Sequence, residues 1–299
     1  MESFNFTTKV EIPQSKINID FESNILMLGS CFATEIGECL QDYKFNVLVN
    51  PFGVLYNPCS IENSLKRLLS GEEFKNEELI KINPTQQDPF FATFYHHSSF
   101  ARRLEEEFLC NANTALKNAS NFLKKADTII ITLGTAWVYR EIKSNIIVSN
   151  CHKIDSKNFH RELLTVKECT QTLNSIVNSL PDKNIIFTVS PIRHFKDGAN
   201  GNQISKSTLL LSINNIVEQA KRNSTNCIID YFPSYEVMLD ELRDYRFYAE
   251  DMLHPSTTAV KYIFSRFKET YISPKLYTQM NINLKETKRE KHVPNISKQ

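Results

Sequence analysis

Apolar and polar positions alternate along this chain in blocks that predict strands and helices by turns. Residues 25–29 form an uninterrupted apolar run, too short for a helix and closed by Gly29, so they predict a buried strand. Residues 31–43 follow with Phe32, Ile36, Cys39 and Leu40 at helical spacing. A second short strand is predicted over 45–49, broken by Asn50-Pro51-Phe52-Gly53 and again by Asn57-Pro58. Ser60 is the expected cap of a helix through residue 69. Residues 71–100 are polar and irregular, and 102–124 read as a helix. Residues 127–134 repeat the opening pattern of an apolar run ended by glycine. The spacing predicts a hairpin from 138–142 and 145–149 across Lys143-Ser144. Helices are expected over 165–180, 205–222 and 255–270, with strands over 184–189 and 227–231.

Four or five short Ile/Val-rich strands thus alternate with helices. This is the pattern of βαβ units, and it predicts an α/β fold: a mostly parallel sheet in a three-layer, flavodoxin-like sandwich, with an inserted helical and hairpin segment. No internal repeat or linker divides the chain. One domain is expected over residues 5–270, with 271–299 as a flexible, solvated extension carrying the basic run 285–291. In such sheets a site forms outside the carboxyl ends of the strands.

Composition narrows the function classes. A net charge of +1 leaves no global field for nucleic acid or anionic membrane, so neither is an expected partner. Seven cysteines without a CxxC spacing argue against a disulfide framework or structural zinc. Cys151-His152 has no second ligand pair at a sensible spacing, so no metal and no cofactor are expected. The first ten residues show no apolar signal segment, and no apolar run nears the ~20 residues of a spanning helix. A cytoplasmic protein is the expectation. With only seven glycines and no phosphate-loop pattern, a nucleotide-binding module is disfavoured.

The candidate chemistry is nucleophilic. Ser30 and Cys31 sit at a strand-to-helix turn, where first-turn amides converge on the same spot. His254 is the best candidate base, and Asp251, three residues earlier, can orient its imidazole. Arg193, His194 and Lys206 leave or follow a strand end and are candidates to grip a substrate anion, with Lys196 nearby. His97 lies in the long irregular segment, where binding loops occur. Trp137 is the only tryptophan, a core residue or a pocket wall.

The run Gly29-Ser30-Cys31-Phe32-Ala33 resembles the signature of the GSCFA family. Blocks at residues 50–58, 130–139, 150–153, 190–194, 231–236, 244–248 and 251–255 resemble that family's blocks too, so the resemblance covers nearly the whole chain. The family is similar to the SGNH (GDSL-type) hydrolases. That resemblance implies an esterase-like or acyltransferase-like enzyme, with a small-molecule or carbohydrate acyl substrate. It assigns Asp251 and His254 to the last superfamily block and Gly53 to the second-block glycine, whose amide helps hold an oxyanion. The third block departs from the pattern, because Ala136 stands where the superfamily has asparagine. Asn50, Thr135 and backbone amides near Gly134 are the substitutes by position. Counting from Gly29 as in Gly-Asp-Ser-Leu selects Cys31 as nucleophile, with Ser30 as its rival. The alternative is a catalytically inactive binding protein on the same fold. Oligomeric state is not legible.

Overall fold

Three uninterrupted apolar runs become the inner strands of a parallel sheet. In the computed structural model, which describes residues 7–82, 89–222 and 227–292, the chain opens with β1 (Asn24–Gly29), α1 (Cys31–Asp42), β2 (Asn46–Val49) and α2 (Pro58–Ser70). A short antiparallel pair, β3 (Ile80–Ile82) and β4 (Phe90–Ala92), precedes α3 (Glu105–Lys125) and β5 (Thr128–Leu133). Strands β6 (Trp137–Glu141), β7 (Ile147–Val148) and β8 (Phe159–Leu163) form a separate antiparallel sheet. The alternation resumes with α4 (Val166–Ser179), β9 (Asn184–Val189), α5 (Gly198–Arg222) and β10 (Ile229–Phe232). The short turn α6 (Ser234–Glu236), then α7 (Thr257–Tyr271) and α8 (Tyr277–His292) complete the chain as described.

The central sheet has the order β10-β9-β5-β1-β2, and every neighbouring pair is parallel. Side chains alternate between its faces, as strand geometry demands. Leu26, Leu28, Ile129, Ile131, Ile185 and Phe187 pack toward α2, α3, α4 and α5. Ile25, Met27, Ile130 and Ile186 pack toward α1 and α7. Both faces are covered, which is why the inner strands read as continuous apolar runs. The expected α/β three-layer sandwich is the observed architecture.

From β1 the chain moves outward to β2, then returns to β5 on the other side of β1. Loops leaving β1 and β5 therefore diverge and open a crevice at their carboxyl ends.

Several local expectations are corrected. Helix α2 is capped by Asn57, whose Oδ1 accepts the Ser60 amide at 2.8 Å, and not by Ser60. Pro58 starts the helix because its missing N–H is one of the unpaired donors there. Helix α5 begins at Gly198, earlier than periodicity indicates. The hairpin gains β8, paired with β6 from Trp137↔Leu163 to Glu141↔Phe159. Residues 277–292, expected as a frayed extension, form α8, which buries Met280 and seats on α1 through Asn283 Nδ2 donating to Tyr43 O at 2.9 Å. The last stretch of the expected extension lies outside the described residues. No helix among the described residues is long and apolar enough to cross a membrane.

Candidate active site

The crevice is built on Gly29. Its φ is +141°, and a Cβ there would lie 2.1 Å from Thr132 O across the sheet. Asn50, itself at φ 44°, clamps this turn: its Oδ1 accepts Gly29 N at 2.8 Å, and its Nδ2 donates to Thr34 Oγ1 at 3.0 Å. Leu55 N donates to Gly29 O at 2.8 Å, so the segment after β2 is laid over the end of β1. At the other lip, the Tyr56 carbonyl accepts the amides of Gly134 at 2.8 Å and Thr135 at 2.9 Å.

At the turn the two candidate nucleophiles point in different directions. Ser30 is fully buried, does not line the crevice, and its hydroxyl has no partner. Its main chain is held by Ser30 N donating to Thr132 O at 3.1 Å and by Ser30 O accepting Ala33 N at 2.8 Å. Cys31, the first residue of α1, faces a cleft of about 480 Å³ that His254 also lines. Its sulfur lies 3.5 Å from the Tyr56 hydroxyl. No side chain caps the first turn of α1.

Asp251 and His254 form a compact unit. Asp251 Oδ1 accepts the amides of Leu253 and His254, each at 2.9 Å, and Oδ2 meets His254 Nδ1 at 2.5 Å. These hydrogen bonds hold the Asp251 carboxyl down at about 2. An ionised carboxylate can only accept, so Nδ1 carries the hydrogen and Nε2 is left free. Met252 takes the left-handed conformation (φ 59°), and Ala249 N donates to His254 O at 2.7 Å, closing the loop. Arg193 braces it from outside: its amide donates to Leu253 O at 3.1 Å and its Nη1 to Met252 O at 3.3 Å. Glu35, one turn beyond Cys31, has a buried, unpartnered Oε2, and burial pushes its carboxyl up to about 7 against the lowering effect of His254. Neither Glu35 nor Tyr56 stands out from the sequence as a site residue. The i+4 spacing from Cys31 was the available signal for Glu35.

The inserted hairpin supplies the far wall. Trp137, Tyr139 and Arg161 line it, with the Arg161 guanidinium 4.0 Å above the Trp137 ring and paired with Asp197. Among the expected substrate residues, Arg193 and His194 line the cleft. Burial lowers His194 to about 4, so its imidazole is neutral near pH 7. Nearby acids are paired with other arginines and not with Arg193: Asp240 with Arg243, Glu241 with Arg266, Asp244 with Arg246.

His97 and Lys206 do not reach the cleft. The missing Cβ of Gly53 lets His97 pack against the turn, where its amide donates to Phe52 O at 2.9 Å and its Nδ1 meets Ser99 Oγ at 3.1 Å. Lys206 is 1% exposed and donates to the carbonyls of Gly134 and Ser190, each at 2.7 Å, tying together the exits of β5 and β9. It is a strut under the cleft floor, because a helix facing the sheet edge carries it inward.

Lys206 has a consequence for stability. Burial lowers its amine from the ordinary 10.5 to about 7. Between these values the unfolded chain binds a proton that the folded chain lacks, so stability rises with pH across that window. Lys206→Met is expected to lower the urea midpoint, since two carbonyls lose their donor. The variant should also show a smaller gain in stability from pH 7 to pH 9 than the parent, which paired urea titrations read directly.

The expected oxyanion donors are already engaged. Gly53 N donates to Asn50 O at 2.8 Å; Gly134 and Thr135 share the Tyr56 carbonyl; Asn50 Nδ2 is on Thr34; Ala136 N donates to Ser205 Oγ at 2.8 Å. Thr135 Oγ1 lies 3.0 Å from Ser205 Oγ. These groups shape the crevice walls through contacts invisible in one dimension. Cys151 also lines the cleft, with its thiol pushed up to about 11 by burial, while His152 turns away to bind Thr93 O at 2.9 Å. No group of three or more His, Cys, Asp or Glu among the described residues is arranged to hold a metal ion.

Comparison of folds finds similarity to a solved protein described as "a putative platelet activating factor from Streptococcus pneumonia", with 12% identity, 85% of each chain covered and a TM-score of 0.37. No curated protein matches the sequence. The family model for GSCFA matches residues 24–267, the span that holds the whole sheet, Cys31 and the Asp251–His254 unit, and the chain belongs to the GSCFA family.

Proposed function

We propose that the protein is an acyl-transferring enzyme, a hydrolase or acyltransferase acting on acyl esters, with Cys31 as nucleophile, His254 as base and Asp251 as the orienting carboxylate. The observation that carries this reading is that Cys31 and a hydrogen-bonded His254–Asp251 pair line or flank one cleft at the sheet's switch point. The turn at Gly29 and the Asp251–His254 block resemble the first and last blocks of the SGNH hydrolases, which supports ester chemistry by analogy. Carbohydrate O-acyl groups are the proposed substrate class on the same analogy.

In this mechanism His254 Nε2 takes the thiol proton as the Cys31 sulfur attacks the acyl carbon. The amides of Cys31 and Phe32 at the start of α1 steady the developing oxyanion. Collapse expels the alcohol, which takes the proton back from His254, and leaves a thioester on Cys31. Water or an acceptor alcohol, deprotonated by His254, then releases the acyl group and restores the thiol. The engaged amides of Gly53, Gly134 and Thr135 favour the rival reading, a binding protein without turnover, and one experiment separates the two. Incubation with an activated aryl ester should leave an acyl group on the peptide containing Cys31, removable by hydroxylamine. A protein that never acquires that adduct, across a panel of acyl chains, is not the enzyme described.

Asp251→Asn tests the orienting role. Asparagine keeps an oxygen for the two loop amides but offers an N–H where Nδ1–H needs an acceptor, which favours the wrong tautomer. A loss of about 10⁴-fold in kcat is expected. Because Asp251 also ties the loop through three hydrogen bonds, circular dichroism at the assay temperature should accompany the assay and show an intact fold. A variant with parental kcat would remove Asp251 from the mechanism.

A further inference from the structure

We infer that the Tyr56 hydroxyl is a catalytic donor, holding the Cys31 sulfur before attack and the oxyanion after it, in place of the side-chain amide that Ala136 lacks. The inference rests on Cys31 being the nucleophile and goes beyond it by naming the missing donor.

Position comes first. Tyr56 lies on the segment between β2 and α2 that covers the ends of β1 and β5, and its hydroxyl is 3.5 Å from Cys31 Sγ in the wall of the same cleft. In a tetrahedral adduct the oxyanion sits on the carbon bonded to that sulfur, so a donor already touching sulfur is in range of the oxygen. Elimination comes second. The amides of Gly53, Gly134, Thr135 and Ala136 and the Asn50 side chain all have acceptors already. Among the described residues, the Tyr56 hydroxyl is the side-chain donor within hydrogen-bond distance of Cys31 Sγ.

Rigidity comes third. The Tyr56 carbonyl is fixed by two amides of the β5 exit, and its ring meets His194 edge-on at a centroid distance of 6.0 Å and an interplanar angle of 83°. A donor held in place before the reaction stabilises charge without reorganising at the moment it forms. Chemistry comes fourth. Burial and the neighbouring sulfur push the phenol well above its usual range, so it keeps its hydrogen and can donate it to a thiolate or an oxyanion. No proton leaves Tyr56 in the cycle; His254 carries it.

Tyr56→Phe keeps the ring against His194 and removes one oxygen. In the full-length chain, alkylation of Cys31 by iodoacetamide, followed by peptide mapping, should slow about tenfold at pH 7, since a hydrogen bond to the thiolate is lost. With an activated aryl ester, kcat should fall about 10²-fold while KM moves little, the pattern of a donor used only in the transition state. The urea midpoint, measured alongside, should match the parent and so report an intact fold. A Phe variant with parental alkylation rate and kcat, on a Cys31 that does form the acyl adduct, overturns the role of Tyr56 and leaves the nucleophile standing. A parent protein whose Cys31 forms no adduct overturns both together.

Discussion

Cys31→Ala should abolish acyl transfer, with kcat/KM falling by about 10⁴-fold or more, while Ser30→Ala should leave it within about threefold of the parent. The first figure corresponds to about 5 kcal/mol of lost transition-state stabilisation, the scale for removing a covalent nucleophile. The second follows from where Ser30 points. Its hydroxyl is enclosed, unpartnered and outside the cleft. A serine at a helix N-cap ordinarily contributes about 1 kcal/mol through a side-chain bond to a first-turn amide. Ser30 makes no such bond, so its removal should leave stability unchanged or slightly raised. The two variants, assayed side by side on one aryl ester and by unfolding in urea, separate the nucleophiles cleanly. If Ser30→Ala were the inactive one, the turn would have to rotate by a residue in the working enzyme, and the Cys31 assignment would be wrong.

Gly29→Ala should unfold the protein or cost more than about 4 kcal/mol, a large part of the 5–15 kcal/mol typical of a folded domain. The added methyl would meet Thr132 O at 2.1 Å, with the carbonyl carbon and amide nitrogen of the same residue at 2.8 and 2.9 Å. All three are backbone atoms of the neighbouring strand, so no side chain can turn aside. Relief requires opening the β1–β5 pairing, and with it the bond from Gly29 N to Asn50 Oδ1. Gly71, which ends α2 at φ +67° with no atom within 4 Å of the virtual Cβ, is the control. Its replacement by alanine should cost only about 1 kcal/mol, the strain of a left-handed residue alone. Equal urea midpoints for the two variants would show that the close approach at Gly29 is not needed.

The layered architecture and the chemistry-bearing ends were readable in one dimension because both rest on local patterns. Residues 25–29, 127–134 and 184–189 announce strands buried on both faces, since only such strands are apolar throughout. The spacing of Asp251 and His254 announces their contact, because one turn of chain brings a carboxylate to its third neighbour. What local pattern does not encode is direction. Whether Ser30 or Cys31 faces His254 depends on the rotation of α1, which is set by Phe32, Ile36 and Leu40 sinking against the sheet and by the main-chain bond from Ser30 to Thr132. Lys206 reads as a cation to grip a substrate anion until the orientation of α5 carries it beneath two strand ends. Gly134 and Thr135 read as free donors until the distant Tyr56 carbonyl arrives to use them, and Gly53 until its own turn closes on Asn50 O. The sequence by itself determined the α/β alternation, the GSCFA signature and the paired Asp251 and His254, all matters of spacing along the chain. Only the tertiary structure decided which thiol or hydroxyl meets the cleft, which amides are spent and that Tyr56 stands beside Cys31, because those outcomes depend on long-range packing that no short window of residues contains.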